Sequence, residues 1–179
     1  MNYFITMPKC EIQIGTIGTD IFQGKFVLID YPNKRICITT ELPKRYAKAN
    51  FQPFVTEDVR IKIPFEIDNK PENLLFDTGA SIFSLVTSKE NAEAISDKTS
   101  IDTLELSSWG RTVRFLGLKT NKQVKFGNRV LKPTTVYYET TNIFCDFYNK
   151  QNIWGITGNT YFLKNIVIID YKNKQFGIK

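Results

Sequence analysis

The 179-residue sequence contains no histidine, and this absence excludes two large classes of catalytic site. Without imidazole the chain cannot build a Ser–His or Cys–His nucleophilic pair, and it lacks the most common protein ligand of zinc. The three cysteines, Cys10, Cys37 and Cys145, lie too far apart for a Cys-x-x-Cys pair, and their odd number argues against a disulfide framework. No Gly-rich phosphate-binding loop is present either. We therefore expect no cofactor and no metal site, and carboxylates are the natural agents of any chemistry.

Runs of like charge and long apolar runs are also missing. The net charge of +6 is spread over dispersed Lys and Arg residues, with no run of four or more basic residues. This pattern disfavours nucleic-acid binding, and solubility is the simpler explanation of the basic balance. The first ten residues lack a basic start and a long apolar stretch, so the sequence predicts neither an export signal nor a membrane span. The compartment is left open.

Short runs of β-branched and aromatic residues between Gly, Pro and Asn favour strands along most of the chain. Residues 59–67 alternate apolar and polar side chains, as expected of a half-buried strand. Helical patterns are few: Ser88–Ile95, with Ser88 as its N-cap, and a helical turn at Asn159–Asn165. The sequence therefore predicts an all-β fold of antiparallel strands with one or two short helices.

The stretch Leu74-Leu75-Phe76-Asp77-Thr78-Gly79-Ala80-Ser81 carries the most informative pattern. Three apolar residues lead directly to a carboxylate, which predicts a buried strand that ends in a tight loop. Such a carboxylate is costly to ionise unless nearby donors stabilise it, and hydroxyls and backbone N–H groups in the loop can do so. An Asx-type turn that caps the strand is the simplest interpretation of an isolated Asp-Thr-Gly.

The end of the chain repeats its beginning. Residues 15–38, placed on 155–178 without a gap, are identical at ten of 24 positions. The identical pairs are Gly15/Gly155, Gly18/Gly158, Phe22/Phe162, Val27/Val167, Ile29/Ile169, Asp30/Asp170, Tyr31/Tyr171, Asn33/Asn173, Lys34/Lys174 and Ile38/Ile178. We therefore expect residues 1–45 to be the tail of a first, incomplete lobe, 46–53 a linker, and 54–179 a complete lobe.

These motifs together resemble the aspartic proteases, both the two-lobed pepsin-like and the dimeric retroviral-like members. The resemblance rests on Leu75–Ser81, on Ser108-Trp109-Gly110, and on Gly155-Ile156-Thr157-Gly158 with the turn Tyr161-Phe162-Leu163 behind it. It implies a β-barrel lobe in which an apolar-apolar-Gly segment crosses behind the Asp-Thr-Gly loop. Thr157 departs from that pattern, because the family usually has a second apolar residue there. Ala80 follows the retroviral-like pattern.

The resemblance also implies a role for each residue of the motifs. Asp77 would be catalytic, and Trp109 and Gly110 would be the aromatic-Gly pair of a flap that binds substrate. The residues that would support the loop are Thr78, Gly79, Ala80, Ser81, Ile156, Thr157 and Gly158. In this family two neighbouring aspartates share one proton, which is the standard example of coupled carboxylates. The ionised member takes a proton from water, which attacks the scissile carbonyl, and the other member donates to the developing oxyanion.

One loop supplies only half of such a dyad, and the 179 residues contain no second Asp-Thr-Gly or Asp-Ser-Gly. The chain could be the C-terminal part of a two-lobed protease, one subunit of a homodimer, or a catalytically silent peptide-binding or scaffold module with the same fold. The partial repeat at 15–38 favours the first interpretation. The expected partners are a peptide or protein substrate and either a second lobe or a second copy of the chain.

Overall fold

The computed structural model describes residues 3–6, 17–108, 111–132 and 134–179. The chain divides into two compact units. The first unit contains the described residues up to Ile61 together with Phe162–Lys179, and the second is continuous over Lys62–Tyr161. The first unit is thus formed from both ends of the described chain, and the second from its middle.

Strands account for most of the regular structure, so the prediction of an all-β fold dominated by antiparallel pairing is confirmed. The strands of the first sheet are β1 (Tyr3–Thr6), β2 (Phe26–Asp30), β3 (Arg35–Thr39), β4 (Asn50–Pro53), β15 (Ile166–Asp170) and β16 (Gln175–Ile178). The other strands are β5 (Val55–Glu57), β6 (Arg60–Ile67), β7 (Lys70–Phe76), β8 (Leu85–Thr87), β9 (Ser96–Ser108), β10 (Arg111–Thr120), β11 (Val124–Phe126), β12 (Arg129–Val130), β13 (Thr135–Glu139) and β14 (Gly155–Thr157). The helices are α1 (Lys89–Ala94) and α2 (Cys145–Gln151), with 3₁₀ turns at Thr19–Phe22, Lys44–Tyr46 and Thr160–Phe162.

The first sheet has the strand order β1-β3-β2-β15-β16-β4 within the described residues, and every pairing in it is antiparallel. At its centre β2 pairs with β15, and Leu28 lies opposite Ile168. The ungapped sequence match equates these same two positions. The two similar hairpins therefore meet about a local twofold axis, with β1 at one edge of the sheet and β4 at the other.

Both hairpins turn in the same way. Asp30 ends β2, and its carboxylate accepts hydrogen bonds from the backbone and side-chain N–H groups of Asn33. Asp170 ends β15 and accepts the equivalent bonds from Asn173. In each turn the following lysine has a positive φ, 52° at Lys34 and 53° at Lys174. The identical turn residues of the two segments thus form the same local hydrogen bonds.

The second sheet follows the path β12-β11-β6-β7-β14-β8-β13-β10-β9. Most neighbours are antiparallel, but β14 is parallel to β7 and β13 is parallel to β8. Strands β9 and β10 form a long hairpin, in which Ser108 lies opposite Arg111. Among the described strands β12 and β9 occupy opposite ends of the path, so this sheet is open.

The observed helices match the helices predicted from the sequence in part. Helix α1 begins after Ser88, whose hydroxyl accepts a hydrogen bond from the Asn91 N–H at 3.2 Å, as the N-cap prediction required. The turn expected at Asn159–Asn165 is reduced to the 3₁₀ turn Thr160–Phe162. Helix α2 was not predicted, because aromatic residues in Cys145–Gln151 mask the helical period. None of the helices in the described ranges has the length and apolar character needed to cross a membrane.

Phe162 is the clearest test of the packing in the first unit. Its side chain is fully buried, with its ring centroid 5.6 Å from that of Phe176, whereas the neighbouring Leu163 is 52% exposed. We expect Phe162→Ala to lower the free energy of unfolding by about 3–5 kcal/mol, because it leaves a cavity. The matched control Leu163→Ala should change it by less than about 0.5 kcal/mol. Urea unfolding of both variants measures the difference, and similar losses in the two would contradict this packing.

Candidate active site

The candidate site is the loop that follows β7. Leu74, Leu75 and Phe76 are buried at the end of this strand, whereas Asp77, Thr78 and Gly79 are exposed. Burial of three consecutive apolar side chains fixes the end of the strand, and the chain then turns outward at the carboxylate. The predicted sequence of buried strand, acid and tight loop is therefore what the structure contains.

Hydrogen bonds within the loop hold both the side chain and the backbone of Asp77. The Gly79 N–H donates to Asp77 Oδ1 at 2.8 Å, and the Ala80 N–H donates to the Asp77 carbonyl at 3.1 Å. This is the Asx-type turn of the simplest interpretation. A Cβ on Gly79 would lie 3.0 Å from Asp77 Oδ1, so any side chain there would press on the carboxylate.

Strand β14 passes behind this loop. Its Ile156 is paired with Leu75 of β7 on one side and with Val86 of β8 on the other. The Asp77 N–H donates to the Thr157 carbonyl at 3.0 Å, which joins the start of the loop to the end of β14. Thr157 is fully buried, and among the described residues its hydroxyl has no hydrogen-bond partner. Within the described residues Thr157 is therefore hydrogen-bonded to the loop through its carbonyl.

Gly158 allows the closest backbone approach in the site. A Cβ at this position would lie 1.8 Å from the Ala80 carbonyl oxygen and 2.7 Å from that of Phe83. Both neighbours are backbone atoms, which cannot move aside as a flexible side chain would. Only glycine therefore fits here without moving the loop.

Asn159 also holds the loop, and the sequence analysis did not predict this role. Its side-chain Nδ2 donates to the Thr78 carbonyl at 3.0 Å. The residue follows directly after the Gly158 of the supporting segment, and an amide at that place was the available signal. The structure thus brings together Asp77–Ser81 with 156–159, from opposite ends of the second unit.

An apolar cluster lies next to the loop. Its buried members are Phe83, Val86, Val113, Phe115 and Tyr137. Partly buried residues pack against them: Ala80, Leu104, Leu106, Phe144 and Ile156. Because this set includes residues of both β9 and β10, the long hairpin is connected to the loop through side-chain packing. Trp109 and Gly110, expected at the tip of this hairpin, lie outside the described residues.

Tyr137 connects the cluster to the hairpin through a hydrogen bond. Its hydroxyl donates to Asp102 Oδ2 at 2.7 Å. Burial raises the pKa of Tyr137, and the hydrogen bond and negative charge of Asp102 raise it further, to about 12. The phenol therefore stays protonated over the whole range in which a carboxylate site would operate.

The outer surface of the loop has few partners. In the described part of the chain the Gly79 N–H is the sole hydrogen-bond donor to the Asp77 carboxylate, and the Thr78 hydroxyl makes no hydrogen bond. Ser81 is exposed, and the apolar side chain of Ile82 is 51% exposed. These groups are available to a molecule that contacts the loop from outside.

Gly158 offers a direct test of the supporting segment. We expect Gly158→Ala to lower the free energy of unfolding by about 3 kcal/mol, because the added methyl group collides with two carbonyls. In the control Gly79→Ala the added methyl group meets only the Asp77 carboxylate, at 3.0 Å and without a backbone collision, and should cost less than about 1 kcal/mol. Chemical denaturation measures both, and equal stability of the two variants would show that the segment does not lie behind the loop.

The Tyr137–Asp102 contact predicts a pH dependence. The pKa of Tyr137 is higher in the folded protein, at about 12, than its ordinary value of 10.0. The joint contribution of burial and of the Asp102 contact to stability is therefore complete below pH 10 and is lost as pH rises toward 12. We expect the difference in unfolding free energy between the wild type and Tyr137→Phe to shrink over this range. A difference that stays constant with pH would contradict the contact.

Comparison with known proteins gives no match in sequence, whereas the comparison with solved structures finds similar chains. No protein-family model and no curated protein sequence matches the chain. EIAV protease in complex with the inhibitor HBY-793 aligns at 18% identity over 59% of this chain and 89% of its own, with a TM-score of 0.38. A retropepsin-like aspartic protease from Rickettsia conorii aligns at 15% identity over 62% and 84%, with a TM-score of 0.44.

Basic 7S globulin from soybean aligns over 90% of this chain at 9% identity, and the alignment spans 52% of its own length, with a TM-score of 0.41. Two of these three structures are named as proteases, one of them as a retropepsin-like aspartic protease, and aspartic proteases are the family that the sequence motifs resemble.

Proposed function

We propose that this chain supplies one half of an aspartic-type endopeptidase, with Asp77 as one of two catalytic carboxylates. The observation that carries the proposal is an exposed carboxylate fixed by backbone groups. The Gly79 N–H holds its Oδ1 at 2.8 Å, and the Asp77 N–H is bound to the Thr157 carbonyl. An ordinary surface aspartate has no such support from a second, buried strand.

The chemistry requires a second carboxylate close to Asp77. Two such groups cannot both ionise cheaply at short distance, so they hold one proton between them. The ionised member accepts a proton from the bound water as its oxygen attacks the peptide carbonyl, and the protonated member gives its proton to the carbonyl oxygen. Asp77 is suited to either role, because one described donor leaves most of its lone pairs free for water and for a shared proton.

The second carboxylate comes from outside the described residues, either from a second lobe or from a second copy of the chain. The exposed surface of the loop supports this part of the proposal. Thr78 has an unpartnered hydroxyl among the described residues, and Ile82 presents apolar surface beside it. Thr78 would bind the matching loop through its hydroxyl, and Ala80 and Ser81 would complete the turn.

The proposed substrate is a peptide or protein segment. Half-buried apolar side chains, Leu104 and Leu106 of β9 and Ile156 of β14, pack against the aromatic cluster next to the loop. Such a surface favours apolar side chains on either side of the scissile bond. Trp109 and Gly110 are proposed to contact substrate from the hairpin tip.

A catalytically silent peptide-binding or scaffold module is the alternative. The observation that favours it is the absence of a second carboxylate bound to Asp77 among the described residues. A module of this kind would bind peptides through the same apolar cluster without cleaving them. Binding that persists after Asp77 is neutralised, without any cleavage by the wild type, would identify it.

Asp77→Asn tests the proposal, because the amide keeps the shape of the side chain but cannot accept the proton of water. Cleavage of a peptide library by the associated protein should fall by about 10²-fold or more, with little change in the free energy of unfolding. Asp97→Asn is the matched control, since Asp97 is an exposed carboxylate that caps its own turn through the Thr99 N–H. Full activity in Asp77→Asn would refute the assignment.

The dependence on concentration and pH adds a second measurement to the same experiment. A lone carboxylate has no partner with which to share a proton, so the purified monomer should be inactive and activity should appear with the associated species. Cleavage should be favoured at acidic to mildly acidic pH, because loss of the shared proton at higher pH removes the general acid. Peptide hydrolysis by a chain that stays monomeric in size-exclusion chromatography would contradict the two-carboxylate mechanism.

A further inference from the structure

The first unit contains a cavity of about 470 Å³ that the proposed peptidase does not use. Leu28, Cys37 and Ile166 of the first sheet form its apolar floor. Arg45 and Tyr46 of the 3₁₀ turn Lys44–Tyr46 also line it. Its volume lies in the range of pockets that bind small molecules.

Two arginines belong to the lining of this cavity. Arg35, at the start of β3, and Arg45 both line it, and neither forms an ion pair in the part of the chain that the structure describes. The one carboxylate in the lining is Asp30, which already accepts three hydrogen bonds from Asn33 at 2.9–3.2 Å. The lining therefore holds two arginines and one carboxylate, and it keeps a net positive charge.

The guanidinium of Arg45 stacks on Tyr46, another residue of the cavity lining. Its carbon lies 4.8 Å from the ring centroid of Tyr46, which is 7% exposed. Arg45 also acts on Cys37 of the floor. Burial raises the pKa of the Cys37 thiol, and the positive charge of Arg45 partly offsets this effect. Stacking on an aromatic ring fixes the plane of an arginine without using its hydrogen-bond donors.

The second repeat differs from the first at positions that line this cavity. The position equivalent to Cys37 in the second repeat is Gly177, and there the Phe51 ring fills the space, 2.5 Å from where a Cβ would be. Arg35 is likewise replaced by Gln175 at the equivalent position. Similar hairpins thus carry a filled site on one side of the local twofold axis and an open, cationic one on the other.

We propose that this cavity binds a small organic acid, with its carboxylate between Arg35 and Arg45 and its apolar body on Leu28, Cys37 and Ile166. Guanidinium groups bind carboxylates through paired N–H donors, and the apolar floor favours a hydrocarbon body over a hydrated inorganic anion. A single negative charge suits the site better than a phosphate dianion, because the Asp30 carboxylate is also present. This proposal is independent of the proposed peptidase.

Titration calorimetry with phenylacetate and its neutral isostere phenylacetamide tests the proposal on the full chain. Phenylacetate should bind at least about tenfold more tightly than the amide, and Arg35→Gln and Arg45→Gln should each weaken it by about tenfold or more. Lys44→Gln is the matched control, because it removes an equal charge one residue away from Arg45 but outside the lining. It should leave binding unchanged. The affinity of Arg45→Lys for phenylacetate should lie between those of the wild type and Arg45→Gln.

Alkylation of Cys37 gives an independent measurement, since its thiol lies on the floor. The ratio of its rate with iodoacetate to that with iodoacetamide should be high and should fall in Arg45→Gln, because the arginines concentrate the carboxylate reagent. Cys145 is the internal control, since burial raises the pKa of its thiol and the carboxylates of Glu90, Asp146 and Glu139 raise it further. These acids repel iodoacetate, so the ratio at Cys145 should be low. Peptide mapping by mass spectrometry separates the two sites.

Several results would overturn the proposal. They are equal binding of phenylacetate and phenylacetamide, unchanged binding in both arginine variants, and no saturation by about 10 mM phenylacetate. Tighter binding of inorganic phosphate than of phenylacetate would refute the apolar part of the site. An iodoacetate preference at Cys37 that equals that at Cys145 would show that the arginines do not act on the cavity.

Discussion

The candidate site depends on one steric constraint, the passage of the Gly158 backbone against the carbonyls of Ala80 and Phe83. A side chain at this point would separate β14 from the loop and break the hydrogen bond between the Asp77 N–H and the Thr157 carbonyl. Strand β14 is itself fixed on both sides, by parallel pairing with β7 and antiparallel pairing with β8. The position of Asp77 is thus set by backbone contacts, although its carboxylate is exposed.

The two similar hairpins show how the same local structure serves different packing. Asp30 and Asp170 cap their turns through equivalent asparagines, and Leu28 meets Ile168 at the centre of the sheet. The face of the second hairpin is filled by Phe51 over Gly177, whereas the equivalent face of the first hairpin is the floor of the cationic cavity. Identity at turn and core positions preserves the fold, and differences at the remaining positions decide what each face can bind.

Much of the local structure could be predicted from the sequence, because it depends on near neighbours. The Ser88 hydroxyl caps α1, and the acid after Leu74-Leu75-Phe76 begins a tight turn. Helix α2 and strand β14 were missed as regular elements, since one is rich in aromatic residues and the other has three residues between loops. Their conformation is determined by what they pack against: α2 buries Tyr148, and β14 takes its hydrogen bonds from two strands distant in sequence.

The sequence by itself determined the β-rich fold, the motif at Asp77–Ser81 and the likeness to aspartic proteases, because these depend on residue type and spacing along the chain. Only the tertiary structure decided that Asn159 binds the Thr78 carbonyl and that Arg35 and Arg45 line one cavity. These pairs are separated along the chain, and their contact follows from strand register and from the direction in which each turn leaves its sheet. No local pattern encodes that direction, since it is fixed by the packing of all the strands together.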